Sequence, residues 1–247
     1  MIILSGYRIL SKISESTYST VYRAIRESDQ KPVVLKLINK PYSSDLPLAQ
    51  CKKAYELVCI LNAMNVKGVV RVYEIRQYLG SYVAVLEDFG GQSLRTGLLR
   101  QKPSVEKFLP IAINLSDILA QLHSARVVHR NINPGNIVFN PETRELKLID
   151  FSLAISLDDS ESQSKELQSQ KGDLLYISPE MTGKMKWPVD HRTDFYSLGV
   201  TFYEMLSGGT PFPLTDPMGL IHCHLARAPV PLRSEEHTSE LQSRQSI

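Results

Sequence analysis

The chain of 247 residues is long enough for one large domain or for two small lobes around a buried core. With 43% hydrophobic and 22% charged residues it has the composition of a globular protein, and its formal net charge of +2 gives no electrostatic reason to expect nucleic acid as a partner. No apolar run reaches the roughly 18 residues of a membrane span, and the N-terminus lacks the basic region and cleavage site of a signal peptide. We therefore expect a cytoplasmic protein with no membrane partner.

The first third of the chain alternates apolar and polar residues in segments that are typical of strands. Between residues 48 and 64 the period becomes helical, with Leu57, Ile60, Leu61 and Met64 on one predicted apolar face. The order is thus three strands, a helix and two strands. We predict the strands at residues 7–13, 19–27, 32–39, 69–77 and 81–87.

Two glycines in "DFGGQSL" mark a hinge, after which helical periodicity dominates. A small β-rich lobe that is joined by a hinge to a larger helical lobe predicts a ligand cleft between the two. We predict helices over 104–125 and 191–208, short strands over 136–139 and 146–150, and a polar loop over 157–172.

The three cysteines give no disulfide or metal site. Cys51 and Cys59 would lie about 12 Å apart on the predicted helix, beyond the roughly 7 Å that a disulfide allows. Cys223 lies within "HCH" at 222–224, but zinc needs four ligands and no second cluster is visible. We expect two surface histidines around a small apolar residue on a helix.

The last 15 residues, 233–247, differ in character from the rest of the chain. They contain few apolar residues and no periodicity, and "RSEEHTSELQS" matches the in-frame translation of a common sequencing-library adapter. We interpret them as a non-native tail, in which case the natural protein continues past Leu232 and the larger lobe is truncated. The alternative is a native disordered tail.

Several motifs occur together in one order: "VVHRNINPGNIVF" (127–139), "LKLIDFS", "YISPE" and "DFYSLGV". In order and spacing they resemble a eukaryotic-type Ser/Thr protein kinase, and most of all the N-terminal kinase domain of bacterial hybrids that also carry an ATPase region and a sensor histidine kinase. The resemblance covers residues 6–232. It implies an α+β bilobal protein kinase fold, with a small β-rich N-lobe at 1–86, a hinge at 87–91 and a larger helical, truncated C-lobe at 92–232.

The resemblance implies ATP and Mg²⁺ as cofactors. It assigns Lys36 of "PVVLK" to the α- and β-phosphates, the alternative being a solvated strand lysine. Glu56, the one carboxylate on the predicted helix, is its candidate partner, although Leu57 falls at the family's glutamate position, about 100° away. Val21, Glu87 and Phe89 complete the assigned nucleotide-binding residues.

In the family the loop that covers the nucleotide reads G-x-G-x-x-G. Here Ser14, Ser16 and Ser19 occupy the glycine positions. Serine keeps the N–H donors but restricts the turn, so we expect weakened nucleotide binding.

The resemblance assigns the two magnesium-ligating positions to Asn136 and Asp150; a simple turn-forming role is the alternative for Asp150.

Asp194 matches an aspartate that braces the backbone of the catalytic loop. Glu180 matches a glutamate whose arginine partner would lie in the missing part of the C-lobe, so we expect it to lack that partner. Arg130 matches an arginine that pairs with a phosphorylated loop, here containing Ser160, Ser162, Ser164 and Ser169; the alternative is a solvated polar loop.

Three family positions meet at the hydroxyl of the substrate: an aspartate, a lysine and a threonine. Here they are Asn131, Asn133 and Asp173. An amide cannot take a proton, and general-base catalysis is worth about 10²–10⁴ in rate, although Asn131 can still accept a hydrogen bond. We hypothesise that Asp173 bonds the Asn131 amide and replaces part of the missing base. The alternative is drift in a site that no longer turns over.

The sequence thus predicts a Ser/Thr protein kinase with impaired activity, whose partners are a protein substrate or signalling partner and the C-terminal domains of the parent chain. The alternative is a catalytically inactive pseudokinase that acts as a binding or scaffold module. A small-molecule phosphotransferase is disfavoured, because "YISPE" followed by a long helix belongs to the protein-substrate type.

Overall fold

A computed structural model of the chain describes residues 3–17, 19–39, 46–100, 102–158, 173–185 and 187–232. The predicted tail at 233–247 and the four serines of the predicted loop lie outside the described residues.

Five antiparallel strands form the sheet of the N-lobe, in the order β1-β2-β3-β5-β4. The alternation seen in the sequence gives the sheet one apolar face, where Val33, Leu35, Val83 and Val85 are fully buried. The prediction of five strands is confirmed. Their bounds are Tyr7–Glu15 (β1), Ser19–Arg26 (β2), Lys31–Ile38 (β3), Val72–Tyr78 (β4) and Ser81–Glu87 (β5).

Helix α1 (Leu46–Ala63) buries a face that only partly overlaps the predicted one. Ala54, Val58 and Leu61 are buried, whereas Ile60 and Met64 are 56% and 58% exposed. The buried residues follow the spacing i, i+4, i+7, which is that of one helix face. The helix is confirmed, and its predicted apolar face is half right: Leu61 is buried and Leu57 packs against the core, but Ile60 and Met64 are exposed.

The C-lobe is built around α2 (Val105–Ser124), whose apolar stripe includes the buried Leu115, Leu119 and Leu122. Against it packs α3 (Arg192–Ser207). A short helix, α4 (Pro217–Ala226), begins at Asp216, whose side chain accepts a hydrogen bond from Gly219 N at 2.5 Å. The short strands of this lobe are Gln92–Ser93 (β6), Val127–Val128 (β7), Ile137–Phe139 (β8), Leu146–Leu148 (β9) and Ile155–Ser156 (β10).

One of the two histidines expected on a helix surface is buried. His224 is 5% exposed because its ring lies between two partners, the Tyr196 hydroxyl at 2.8 Å and the Leu174 carbonyl at 2.9 Å. Cys223 beside it is also buried and carries a free thiol. The described residues offer no group of three or more His, Cys, Asp or Glu that could hold a metal ion.

The two lobes join along β9. Leu148 N donates to the Gly68 carbonyl at 2.7 Å, and Val70 N donates to the Leu148 carbonyl at 3.1 Å. At the hinge, Lys147 Nζ lies 2.6 Å from Glu87 Oε1. These contacts place the loop before β4 and the end of β5 on the same strand of the C-lobe. The α+β bilobal fold that the sequence predicted is confirmed.

In the part of the chain that is described, none of the helices combines the length and the apolar character that crossing a bilayer requires.

Candidate active site

The β8–β9 hairpin brings the two candidate metal ligands to one end. Asn136 immediately precedes β8 and Asp150 follows β9, and Ile149 N donates to the Asn136 carbonyl at 2.9 Å. The Asn136 amide nitrogen donates to the carbonyl of Asn131 at 2.9 Å. Because that bond uses the nitrogen, the side-chain oxygen of Asn136 is the atom that can act as a ligand.

Lys36 reaches this end from the N-lobe. On β3 it pairs with Val21 of β2 and with Ala84 of β5, so the three side chains share one face of the sheet. Its Nζ lies 2.7 Å from Asp150 Oδ1. The phosphate lysine and a metal ligand assigned from the sequence are therefore in direct contact.

Two opposing effects act on Asp150. Burial alone would raise its pKa, but the charge of Lys36 and hydrogen bonds from Lys36 and Ser152 outweigh it and lower the pKa below the ordinary value. Asp150 is thus ionised at neutral pH, as a ligand for a cation must be.

The predicted Lys36–Glu56 ion pair does not form. The Glu56 side chain is 55% exposed and its carboxylate lies 3.8 Å from Lys52 Nζ. Two residues, or about 200° of rotation, separate Glu56 from the buried Val58, so Glu56 projects into solvent. Asp150 holds the position on Lys36 that the sequence assigned to Glu56.

The chemistry of these side chains fits magnesium. A carboxylate and an amide oxygen are ligands that Mg²⁺ prefers, and one or two such groups suffice when phosphate oxygens and water complete the octahedron. Asp150 and Asn136 would hold the ion, and Lys36 would neutralise phosphate charge beside it.

The phosphate loop is closed on itself. Ser16 N donates to the Ser19 carbonyl at 2.8 Å, and Ser19 N donates to Ser16 Oγ at 3.1 Å. Asn39 Nδ2 ties the same loop to the end of β3 through the Ser16 carbonyl at 2.9 Å. Ser14 lies in β1 opposite Val21. The Ser16 hydroxyl thus occupies the N–H of Ser19, which a glycine at position 16 would leave available to a phosphate.

The hinge residues are anchored to the C-lobe. Glu87 Oε1 accepts hydrogen bonds from Lys147 Nζ and from Arg71 N, each at 2.6 Å. The Phe89 carbonyl accepts from Asn140 Nδ2 at 2.6 Å. The side chain of Glu87 and the carbonyl of Phe89 therefore each have a partner within the described residues.

Asp194 holds the backbone of the catalytic loop, in the arrangement that the resemblance implied. It is fully buried, and its carboxylate accepts from His129 N at 2.9 Å and from Arg130 N at 2.7 Å. His123 Nε2 lies 2.8 Å from the same carboxylate. Arg130 has a φ of 63°, so these two N–H groups can converge on one side chain.

The three positions at the substrate hydroxyl lie together, but not with the hydrogen bond that we hypothesised. Asn131 Oδ1 accepts from Asn133 Nδ2 at 3.1 Å. Among the described residues, the Asp173 carboxylate instead accepts from Arg95 Nη2 at 2.9 Å and from Leu175 N at 3.2 Å. The guanidinium of Arg95 outcompetes a neutral amide because its hydrogen bond is charge-assisted. Asn131 and Asp173 still line one small cavity.

Sequence reasoning missed Arg95. It lies in a stretch without a motif, just after β6, and nothing in the linear sequence links it to the catalytic loop.

Glu180 and Arg130 have partners within the described residues. Glu180 Oε1 accepts from the Thr193 hydroxyl at 2.5 Å, so the threonine at the start of α3 satisfies one of its oxygens. Arg130 is 6% exposed, and its Nε lies 3.3 Å from Met181 Sδ.

Comparison with known proteins agrees with this geometry. A family model described as the protein kinase domain matches residues 7–245, a range that includes most of the segment set apart by its composition. The chain is 30% identical over 233 residues to Serine/threonine-protein kinase pkn3 of Myxococcus xanthus, and 28% identical over 235 residues to pkn2 of the same organism. It is 26% identical over 223 residues to Serine/threonine-protein kinase fused of Drosophila melanogaster.

These matches cover 91%, 94% and 88% of the chain but only 42%, 28% and 26% of the respective relatives. The chain therefore corresponds to less than half of each relative. With the ordered motifs, the two lobes and the contact between Lys36 and Asp150, it belongs to the protein kinase domain family.

Proposed function

We propose that this chain binds Mg–ATP and transfers the γ-phosphate to Ser or Thr of a protein, with impaired turnover, as the kinase module of a longer cytoplasmic signalling protein. The observation that carries the proposal is the 2.7 Å contact between Lys36 and Asp150, with Asn136 at the same end of the hairpin. If the site had lost its function, random substitution would not be expected to keep Lys36, Asp150 and Asn136 together.

Proton transfer is the step that these residues support least. When transfer occurs, the hydroxyl oxygen of the substrate forms a bond to phosphorus, the bond from that phosphorus to the β–γ bridging oxygen breaks, and the hydroxyl proton must leave. Asn131 can orient the hydroxyl through its side-chain oxygen but cannot take the proton. Bound Mg²⁺ would neutralise the charge that develops on the phosphate oxygens.

The second candidate function is a pseudokinase that binds partners without phosphoryl transfer. Two observations favour it: asparagine at both 131 and 133, and a phosphate loop closed by the Ser16–Ser19 hydrogen bonds. Either would lower turnover by itself, and the loop closure would also weaken nucleotide binding.

A thermal-shift titration with Mg–ATP tests the binding half of the proposal. At 100 times Kd, a ligand that binds only the folded protein adds about 2.7 kcal/mol to the free energy of unfolding. We expect stabilisation of the wild type and much less of Lys36→Met, while Lys52→Met, which removes an exposed lysine of α1, behaves as the wild type. A wild type that Mg–ATP does not stabilise contradicts the binding proposal.

Transfer of radiolabelled phosphate by the full-length protein separates the two candidates. We expect slow, Mg²⁺-dependent labelling of protein Ser or Thr, and a gain of about 10² in rate for Asn131→Asp, because a general base is restored. If the wild type binds Mg–ATP but neither it nor Asn131→Asp transfers phosphate to any protein, the pseudokinase is the correct function.

A further inference from the structure

Arg95 is attached to the catalytic loop by both its main chain and its side chain. Its N–H donates to the Pro134 carbonyl at 3.1 Å. Its Nη2 lies 2.9 Å from Asp173 Oδ2 and 3.4 Å from Asn133 Oδ1. One nitrogen of the guanidinium therefore spans two of the three positions that meet at the hydroxyl of the substrate.

Two neighbours determine where the guanidinium can lie. A Cβ at Gly135 would sit 3.6 Å from Arg95 Nε, an ordinary van der Waals distance, and 3.0 Å from Asn133 Oδ1, so the Arg95 side chain lies directly against the loop at this residue. On another side, Arg95 Cζ is 5.7 Å from the ring of Tyr176, which is 3% exposed. The Tyr176 hydroxyl is itself bonded to Glu204, so this ring is a fixed support.

The guanidinium keeps capacity for a ligand. Its side chain is 47% exposed, and Asp173 and Asn133 contact only Nη2. Guanidinium has five N–H donors in a fixed plane, a geometry that suits phosphate oxygens. The contacts that it makes with described residues leave Nε and Nη1 available to an anion.

Asp173 and Arg95 carry the two charges that the catalytic loop of this chain lacks. The matching loop of the family offers an aspartate and a lysine, a pair with zero net charge, whereas Asn131 and Asn133 are both neutral. Asp173 and Arg95 bring one negative and one positive charge to the same place from other segments. The local charge is unchanged, but both charges have moved off the loop.

We propose that Arg95 is a phosphate-binding residue that contacts the terminal phosphate of ATP, supplying the cation that Asn133 cannot, with Asp173 holding its guanidinium in place. The proposal deepens the proposed function, on which it rests. ADP lacks the phosphate in question, so Arg95 should distinguish ATP from ADP, whereas Lys36 should not.

Calorimetric titration of the full-length protein with Mg–ATP and with Mg–ADP tests this without relying on turnover. We expect Arg95→Met to weaken Mg–ATP binding about tenfold, as the loss of a charged hydrogen bond implies, and to change Mg–ADP binding less than twofold. Arg95→Lys, which keeps the charge, should retain most of the preference for Mg–ATP over Mg–ADP. It keeps the test decisive if Arg95→Met fails to fold. Arg126→Met is the control, since Arg126 forms a 2.9 Å ion pair with Asp158 outside the catalytic loop.

The possible outcomes distinguish a failure of the Arg95 proposal from a failure of the proposed kinase function. If the wild type binds Mg–ATP but Arg95→Met weakens both nucleotides equally, or neither, Arg95 does not contact the terminal phosphate and the inference is overturned while the proposed function stands. A wild type that binds neither nucleotide overturns both. Equal effects of Arg95→Met and Arg126→Met would also reject a specific role for Arg95.

Discussion

At the scale of single residues, His129 determines how Asn131 is presented. The ring is fully buried, its Nε2 lies 3.1 Å from the Ile149 carbonyl, and Asn131 N donates to its Nδ1 at 3.3 Å. A carbonyl can only accept, so Nε2 carries the proton and Nδ1 is bare. The hydrogen bonds therefore define a neutral imidazole, in agreement with burial, which lowers the pKa of His129.

This residue should make the fold sensitive to acid. Because the folded pKa of His129 is lowered, the unfolded chain binds more protons below its own pKa of about 6.5, and stability falls as pH decreases through that value. We expect a loss of roughly 1 kcal/mol per pH unit below about 6.5, measured by urea unfolding between pH 7.5 and 5.5.

His129→Asn should reduce that slope. His224→Asn is the matched comparison, since burial lowers the pKa of His224 in the same direction at a site away from the catalytic loop. The two variants together should remove more of the slope than either alone. An unchanged slope in His129→Asn would show that this ring does not resist protonation.

What the sequence could predict at this scale depends on how each residue is positioned. Asn136 and Asp150 flank a short hairpin, so their proximity follows from the motif itself. Glu56 failed as a partner because it lies about 200° around the helix from the buried Val58, and an apolar pattern with two overlapping faces does not show which one is buried. The role of Arg95 depends on a contact across 78 residues with Asp173, which no local pattern encodes.

At the scale of elements, Gly68 sets how closely the loop before β4 approaches α2. It has a φ of 72°, and a Cβ there would lie 2.2 Å from Ile118 Cγ1. We expect Gly68→Ala to lower the free energy of unfolding by about 2–4 kcal/mol, the sum of left-handed backbone strain and overpacking, as measured by urea unfolding.

Gly183 provides the control for that measurement. Its φ is 70°, but nothing lies within 4 Å of a Cβ built there, so Gly183→Ala carries the backbone strain alone, about 1–2 kcal/mol. Equal losses in the two variants would mean that the contact with α2 relaxes without cost.

Elements with a simple period were predictable, and those defined by tertiary contact were not. Strict alternation predicted the five strands of the N-lobe, and the stripe that includes Leu115, Leu119 and Leu122 predicted α2. The strand predicted from residue 69 begins at Val72 because residues 68–70 leave the sheet to bond with Leu148. Two-residue strands such as β6 and β7 carry no period at all.

At the scale of the whole molecule, Lys36 and Asp150 form an ion pair between the lobes. The stability that this pair supplies through the lowered pKa of Asp150 is present above the unfolded pKa of about 3.9 and is lost as pH falls through the lower folded value. In Lys36→Met, burial remains and the charge that offset most of it is gone, while the Ser152 hydrogen bond stays, so we expect the Asp150 pKa to rise.

Carbon NMR of the aspartate carboxyls, titrated from pH 7 to 3, measures that change directly. Lys31→Met is the control, because Lys31 lies 3.7 Å from Asp29 in the N-lobe and does not contact Asp150. An Asp150 resonance that titrates at the same pH in the wild type and in Lys36→Met would contradict the ion pair.

The attachment of both lobes to β9 has a mechanical consequence. If the lobes open as rigid bodies, the axis must pass near Lys147 and Leu148, which hold the hinge and the loop at 68–70. Asp150 is two residues from Leu148, which places it at most about 7 Å from that axis. Ser16 lies between β1 and β2, which are three and two strand spacings from β5 and the hinge, so it is about 10–14 Å away across the sheet alone. The lever arm is thus longer at Ser16 than at Asp150, so opening of the lobes would displace the candidate phosphate loop further than the candidate metal ligand.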